Sequence, residues 1–286
     1  MFLFKIISTQ QIMLHCGDFR ACPAMEEYPS LWNNKVDKVY LDTTYCRPEY
    51  DFPNQADAVS SAIDLIHQHL KIHPKTLIVC GTYTVGKAIY FSTKEKNWRR
   101  LSHAYLLCIY LNVFIKLLGK ERVFLAIAEE FDWNIWATKE KKRILHALEN
   151  DILWNRISDS PINARIHLME MGKVKNFKHL YEYLETYSTK YNHILSIVPT
   201  GWTHQKGSTA ESSLENMRIK TFKNNLSQLE IPYSEHSSFS ELKRFVMFLK
   251  LSSAKSVIPT VNIGNPKSRE SMSNIFNSWI VSCSKM

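Results

Sequence analysis

The sequence predicts an α/β protein in which buried strands alternate with amphipathic helices. Short apolar runs bounded by Gly, Pro or Asp have the length and residue types of strands. Longer segments place apolar residues three and four positions apart, which is typical of helices. The strand candidates are Gln11–Cys16, Lys38–Leu41, Thr76–Cys80, His193–Val198, Leu226–Ile231 and Ser256–Val261, and the helix candidates are Gln55–His73, Arg122–Phe131, Thr138–Leu148, Asn176–Tyr187, Glu241–Leu251 and Ser268–Trp279.

Composition narrows the class of protein further. A chain of 286 residues, of which 45% are hydrophobic, can bury one large or two small cores. Its formal charge of +9 favours an anionic partner, with nucleic acid ahead of an acidic membrane. The six cysteines show neither C-x-x-C spacing nor a disulfide pattern, which indicates a reducing compartment, the nucleus or the cytosol. The apolar N-terminal stretch is a poor signal peptide because it has no small-residue cleavage site.

One segment interrupts the alternation of strands and helices. Residues 88–120 combine a basic stretch with an apolar run that has no helix or strand period. The apolar run, Ala104–Leu118, is shorter than the roughly 20 residues that a spanning helix needs, so we do not expect a membrane anchor. Without residues 88–120 a strand would pass through a turn directly into a helix. We therefore interpret this segment as an insertion, either a retained intron or a surface loop with one helix.

Two motifs imitate ligand sites. Residues 81–87 fit the G-x-x-x-x-G-K pattern of a phosphate-binding loop, but Ala88 follows where Ser or Thr would hold magnesium. Nucleotide hydrolysis is therefore disfavoured. His69 and His73 lie four residues apart on a predicted helix, close to His67, and could share a zinc ion. Because no carboxylate completes this set and Lys71 would repel a cation, a solvated polar helix face is favoured.

Two other stretches have open interpretations at this stage. Asp18 follows a glycine at a strand end, where it could cap a turn, pair with Arg20 or bind a metal. His236 lies between a strand and a helix entrance, where it could bind a metal or a phosphate. Alternatively, Ser237 or Ser238 caps the helix and His236 is incidental. Spacing alone does not separate these readings.

Several motifs in matching order resemble those of a known family. They are LHCGDFRACPAM (14–25), VYLDTTYCRPEYDFPNQ (39–55), LIVCGTYTVGKERVFLAIAEEF (77–87 and 121–131, read across the insertion), PTGWTH (199–204), IPYSEHSSFSELKRFV (231–246) and IPTVNIG (258–264). They are similar to the DNA cross-link repair nucleases of the metallo-β-lactamase/β-CASP group that includes Artemis and Apollo, especially its interstrand cross-link repair 5′ exonuclease branch. The resemblance implies a partial metallo-β-lactamase αββα core with an inserted β-CASP domain. Residues 1–42 would belong to the first half of the core, 43–225 to the β-CASP domain and 226–286 to the returning segment.

The resemblance also implies an activity and a site. The activity is a metal-dependent 5′–3′ DNA exonuclease, a phosphodiester hydrolase that acts in the nucleus in interstrand cross-link and double-strand break repair. Asp18 matches an aspartate that bridges two metal ions, and His236 matches a ligand of the second ion. Asp42 matches an acidic residue beside the active site, and one or two zinc ions are implied. Val261 stands where DNA-directed members have Val and RNA-processing relatives have His, which favours DNA as the substrate. The resemblance implies that the partner is damaged or cross-linked DNA with 5′ ends, and no membrane partner is expected.

Phosphate contacts are expected from basic and hydroxyl side chains around the cleft. For Lys267 and Arg269 the alternative is that they lie on a solvated helix entrance. The candidates are Lys87, Ser234, Ser237, Lys267, Ser268 and Arg269.

Members of the family carry an H-x-H-x-D-H motif upstream of the GDFR segment, and this sequence does not contain it. Asp18 and His236 alone are too few to define a zinc site, since the ion needs at least three protein ligands. We therefore expect this chain not to cleave DNA by itself. The alternative function is that of a non-catalytic DNA-binding or regulatory fragment of such a nuclease.

Overall fold

The computed structural model describes residues 1–82, 120–146, 151–201, 210–223 and 225–283. Apart from Lys120, the proposed insertion 88–120 lies outside these ranges, as do Lys87 and residues 83–87 of the G-x-x-x-x-G-K motif. The described residues form one four-stranded and one six-stranded sheet with helices packed against them, which confirms the α/β class. No helix in these ranges combines the length and apolarity needed to cross a bilayer.

The secondary-structure elements are numbered in chain order. The strands are β1 (Phe2–Lys5), β2 (Ile12–His15), β3 (Lys38–Leu41), β4 (Thr76–Thr82), β5 (Ile135–Trp136), β6 (Ile166–Glu170), β7 (His193–Thr200), β8 (Ile219–Phe222), β9 (Leu226–Pro232) and β10 (Val257–Pro259). The helices are α1 (Pro23–Glu26), α2 (Pro29–Trp32), α3 (Gln55–Ile72), α4 (Glu121–Glu130), α5 (Lys139–His146), α6 (Asp151–Arg156), α7 (Met171–Val174), α8 (Phe177–Thr186), α9 (Ala210–Glu215), α10 (Phe239–Phe248) and α11 (Pro266–Cys283).

The chain divides into two compact units, and the first contains both ends of the chain, residues 1–52 and 234–286. Its sheet has the order β1-β2-β3-β10, with β1 antiparallel to β2 and the other pairs parallel. In β3, Val39 and Leu41 are buried while their neighbours are partly exposed, the alternation expected of a strand with one covered face. Phe245 of α10 and Phe276 of α11 belong to the same hydrophobic core as this face.

The second unit holds the sheet β5-β6-β4-β7-β9-β8, which is parallel except for β8 at one edge. Every residue of β4 and β7 is buried, because helices cover both faces. Successive residues of β4 enter different cores: Ile78 joins a core with α3 and α4, and Leu77 joins one with α8. The central strands therefore read as continuous apolar runs, which is why the sequence predicts them well.

Each strand and helix expected from the sequence is present, with ends shifted by a few residues. The pattern did not reveal β1, β5, β6 and β8. In β6, the buried His167 interrupts the apolar run. Its Nε2–H donates to the Pro161 carbonyl at 2.9 Å, and its Nδ1 lies 2.8 Å from the Tyr183 hydroxyl. The second unit extends to Tyr233, because β9 pairs along its length with β7.

The histidines at the end of α3 do not share a solvated face. His67 is exposed and pairs with Glu130 at 2.7 Å, whereas His69 is buried. The His69 ring lies 4.8 Å from that of His73 and 5.0 Å from that of His193, and the His73 and His193 rings stack at 4.1 Å. Burial, reinforced by the neighbouring histidines, lowers the pKa of His69 and of His193 to about 4.

This cluster should make the protein lose stability as the pH falls from 6.5 to 4. In that range an unfolded histidine binds a proton while His69 and His193 remain neutral in the folded state, so each costs about 1.4 kcal/mol per pH unit. Above pH 6.5 both histidines are neutral in both states and add no slope. Urea unfolding between pH 7 and 4 measures the effect.

The double variant His69→Gln/His193→Gln should flatten the dependence of unfolding free energy on pH. The exposed His67 provides the matched control, and His67→Gln should keep the wild-type slope. An equally steep loss of stability in the double variant would contradict the assignment.

Candidate metal centre

Asp18 is placed by a tight turn at the end of β2. Gly17 has φ 64°, a left-handed conformation that suits glycine because it has no Cβ. The Gly17 N–H donates to His15 Nδ1 at 3.1 Å, which holds the turn against the strand end. Phe19 is buried and packs against Phe245 with ring centroids 5.2 Å apart, so the residue after Asp18 is anchored in the core.

Asp42 follows β3 and is 2% exposed. Its Oδ1 accepts hydrogen bonds from the Thr44 N–H at 3.1 Å and the Thr44 hydroxyl at 2.6 Å. Its Oδ2 lies 2.6 Å from His236 Nδ1. Burial by itself would raise the pKa of Asp42, but the bonds from His236 and Thr44 outweigh burial and hold the pKa below its usual value. The carboxylate is therefore ionised at neutral pH.

His236 lies in the loop between β9 and α10. That helix begins with a capping box, in which the Ser238 hydroxyl accepts from the Glu241 N–H and the Glu241 carboxylate accepts from the Ser238 N–H. The Tyr45 ring and the imidazole are arranged edge to face, with ring centroids 6.1 Å apart. A carboxylate bonded to one ring nitrogen, as Asp42 is here, fixes the tautomer and orientation of a metal-binding histidine.

Asp18, Asp42 and His236 come together in the first unit. Each offers one ligand atom, and the three atoms lie within 4.8 Å of one another. In the part of the chain that the structure describes, no other set of three His, Cys, Asp or Glu residues has this spacing. Two carboxylates and one imidazole suit zinc and other divalent ions, and three protein ligands are the number found in catalytic zinc sites. The residues present therefore fit a metal ion.

The expected phosphate contacts fall into three groups. Lys87 lies outside the described residues. Lys267 and Arg269 are exposed and Ser268 is partly exposed, all in the first turn of α11. Ser234 and Ser237 are the remaining pair.

Ser234 and Ser237 are buried, and their hydroxyls bond within the protein. The Ser234 hydroxyl bonds the backbone of His236, and the Ser237 hydroxyl bonds the backbone of Phe19 and Ala21. These bonds join loops within the protein and use the proton that each hydroxyl can donate. Contact of these two hydroxyls with a DNA phosphate stays a prediction.

Several residues that organise the site were not identified from the sequence. Arg20, considered as a partner of Asp18, pairs with Glu241 at 3.0 Å. The Thr43 hydroxyl donates to the Val261 carbonyl at 2.7 Å and so ties the loop after β10 to the strand end that carries Asp42. Ser238, one of the two residues that the sequence offered as a helix cap, does cap α10, and Ser-x-x-Glu is the signature of a capping box. The long-range partners of Arg20 and Thr43 have no local signal.

Comparison with known proteins finds similarity to DNA repair proteins. Residues 152–265 match the family model described as DNA repair metallo-beta-lactamase. The chain is 36% identical over 282 residues to the DNA cross-link repair 1A protein of Gallus gallus, covering 98% of this chain and 25% of that protein. It is 35% identical over 269 residues to the DNA cross-link repair protein SNM1 of Arabidopsis thaliana, covering 93% of this chain and 47% of that protein.

A third relative has an activity in its name. The chain is 28% identical over 261 residues to the 5' exonuclease Apollo of Gallus gallus, covering 91% of this chain and 42% of that protein. The chain thus spans less than half the length of each of these three relatives.

Replacing Asp42 tests whether this carboxylate organises the candidate metal centre. Asp42→Asn removes a charge and weakens the orientation of His236, so the affinity of the chain for Zn²⁺ should fall about 10- to 100-fold. Competition with a chromophoric chelator measures this affinity, and circular dichroism checks the fold. Asp37 is a matched control because its carboxylate accepts from the Ile12 N–H at 2.8 Å in the same unit. Equal affinities for Asp42→Asn and Asp37→Asn would argue against the assignment.

Proposed function

We propose, from the premise that this chain belongs to the DNA repair metallo-β-lactamase family, that it contributes to a metal-dependent DNA nuclease of cross-link repair. The observation that carries this proposal is the convergence of Asp18, Asp42 and His236 on one point. The finer assignment is a 5′–3′ exonuclease that acts on damaged or cross-linked DNA in the nucleus. The name of the similar 5' exonuclease Apollo and the charge of +9 support it.

In this proposal Asp18 and His236 are the metal ligands, and Asp42 is the acidic residue beside them that orients His236. A bound zinc ion would lower the pKa of a coordinated water and stabilise the negative charge that develops on the scissile phosphate. Asp42 keeps the imidazole of His236 in one orientation through the 2.6 Å contact with Nδ1. Because the pKa of Asp42 lies below its usual value, the carboxylate stays ionised at neutral pH and favours a cation.

DNA would be held through its backbone. Lys267, Ser268 and Arg269, at the start of α11, and Lys87 are the proposed phosphate contacts. We further propose that residues 1–52 and 234–286 are the metallo-β-lactamase part of the chain and that the second compact unit is the β-CASP part. Binding that depends on such phosphate contacts should weaken steeply as salt rises.

A second candidate function is non-catalytic DNA binding. It is favoured by the number of candidate ligands, since in the part of the chain that the structure describes three such side chains come together. On this basis we expect the chain by itself to bind DNA and metal without cleaving DNA.

A chimera separates these functions. The chain replaces the matching 261 residues of the 5' exonuclease Apollo of Gallus gallus, and the substrate is a single strand with a 5′ phosphate and a 3′ fluorophore. The chimera should shorten the strand from its 5′ end, and Asp18→Ala or His236→Ala should reduce the rate about 100-fold or more. The isolated chain should bind the same strand without shortening it.

Asp37→Asn in the chimera is the control and should keep full activity. A chimera that folds, binds DNA and leaves it intact would contradict the nuclease proposal and favour the non-catalytic function. Shortening by the isolated chain, lost in its Asp18→Ala variant, would show that the chain is active alone.

A further inference from the structure

The loops that carry Asp18 and His236 are joined directly by the next residue along, Ser237. The Ser237 N–H and hydroxyl both donate to the Phe19 carbonyl at 3.0 Å. The same hydroxyl accepts from the Ala21 N–H at 2.9 Å. Ser237 is 2% exposed and Ala21 is fully buried, so water does not compete for these bonds. One side chain thus links the backbone on both sides of Arg20 to the loop of His236.

Arg20 and Glu241 form a second link between the same two loops. The Arg20 Nε lies 3.0 and 3.1 Å from the two Glu241 oxygens, and Nη1 donates to the Ser234 carbonyl at 3.2 Å. Glu241 in turn accepts from the Ser238 N–H at 2.8 Å. These bonds attach to Ser234 before His236 and to Ser237 and Glu241 after it. All of these residues belong to the first unit.

We propose that Ser237 is a positioning residue that sets the distance between the ligand atoms of Asp18 and His236. Asp18 immediately precedes Phe19, and His236 immediately precedes Ser237, so a change in the Ser237 bonds moves both ligands. The hydroxyl acts on the metal group through the backbone and does not touch the metal itself. The inference rests on the proposed metal-binding function and adds a residue to it.

Ser237→Ala provides the central test. The substitution leaves the buried Ala21 N–H without its acceptor, which costs more than the bond contributes and favours movement of the Asp18 loop. The affinity for Zn²⁺ should fall about 10- to 100-fold, as for other residues that orient metal ligands. In the Co²⁺-loaded chain, the visible absorption bands should shift, because they report the coordination geometry.

Three further variants keep the test decisive. Ser237→Thr retains a hydroxyl and should restore the affinity and the Co²⁺ spectrum. Arg20→Gln removes the outer link and leaves Ser237 in place, so it should weaken Zn²⁺ binding less than Ser237→Ala. If Ser237→Ala does not fold, Ser237→Val replaces it, because valine has the shape of threonine without the hydroxyl, and wild-type affinity and spectrum in that variant would overturn the proposal.

Ser196 provides the matched control for loss of a buried hydroxyl. Its hydroxyl donates to the Ser227 carbonyl at 3.2 Å in the second unit. Ser196→Ala should lower the melting temperature without changing Zn²⁺ affinity or the Co²⁺ spectrum. A folded Ser237→Ala variant with wild-type affinity and spectrum would overturn the positioning role alone. A wild-type chain that binds no Zn²⁺ would overturn the proposed metal function and this role with it.

Discussion

The bond between Asp42 Oδ2 and His236 Nδ1, 2.6 Å long, is the interaction on which the candidate metal centre depends. It joins a strand end to a loop nearly two hundred residues further along the chain. A buried carboxylate would ordinarily gain a proton, but here the imidazole and Thr44 hold its pKa down. The site therefore has a negative charge and an oriented ring before any ion is bound, so little reorganisation is needed to bind one.

The loops around this bond are held from several sides. Thr43 links the loop after β10, Ser237 links the loop after β2, and the Arg20–Glu241 pair connects that loop to α10. Bonds to backbone groups predominate, and backbone groups hold their positions better than side chains. An isolated exposed ion pair contributes little, but Arg20 is largely buried and bonds both oxygens of Glu241. The ligand positions thus follow from a network rather than from any single contact.

Local patterns were sufficient for much of the fold. The fully buried strands β4 and β7 could be predicted because burial on both faces favours a run of mostly apolar residues, and helix α3 because burial on one face gives a helical period. The edge strands β1, β5 and β8 and strand β6 lack a pattern of this kind and were missed. Edge strands carry partly exposed residues, and β6 buries His167 by satisfying both of its ring nitrogens.

The sequence by itself determined the α/β class, the principal strands and helices, and, through its motifs, Asp18, Asp42 and His236 as candidates. Only the tertiary structure decided that these three converge, that Arg20 pairs with Glu241 and that the Ser237 hydroxyl joins two loops. It also decided that His69 is buried against His193 rather than solvated. Secondary structure is set by local periodicity, whereas these contacts join residues far apart in the sequence and exist only once the chain has folded.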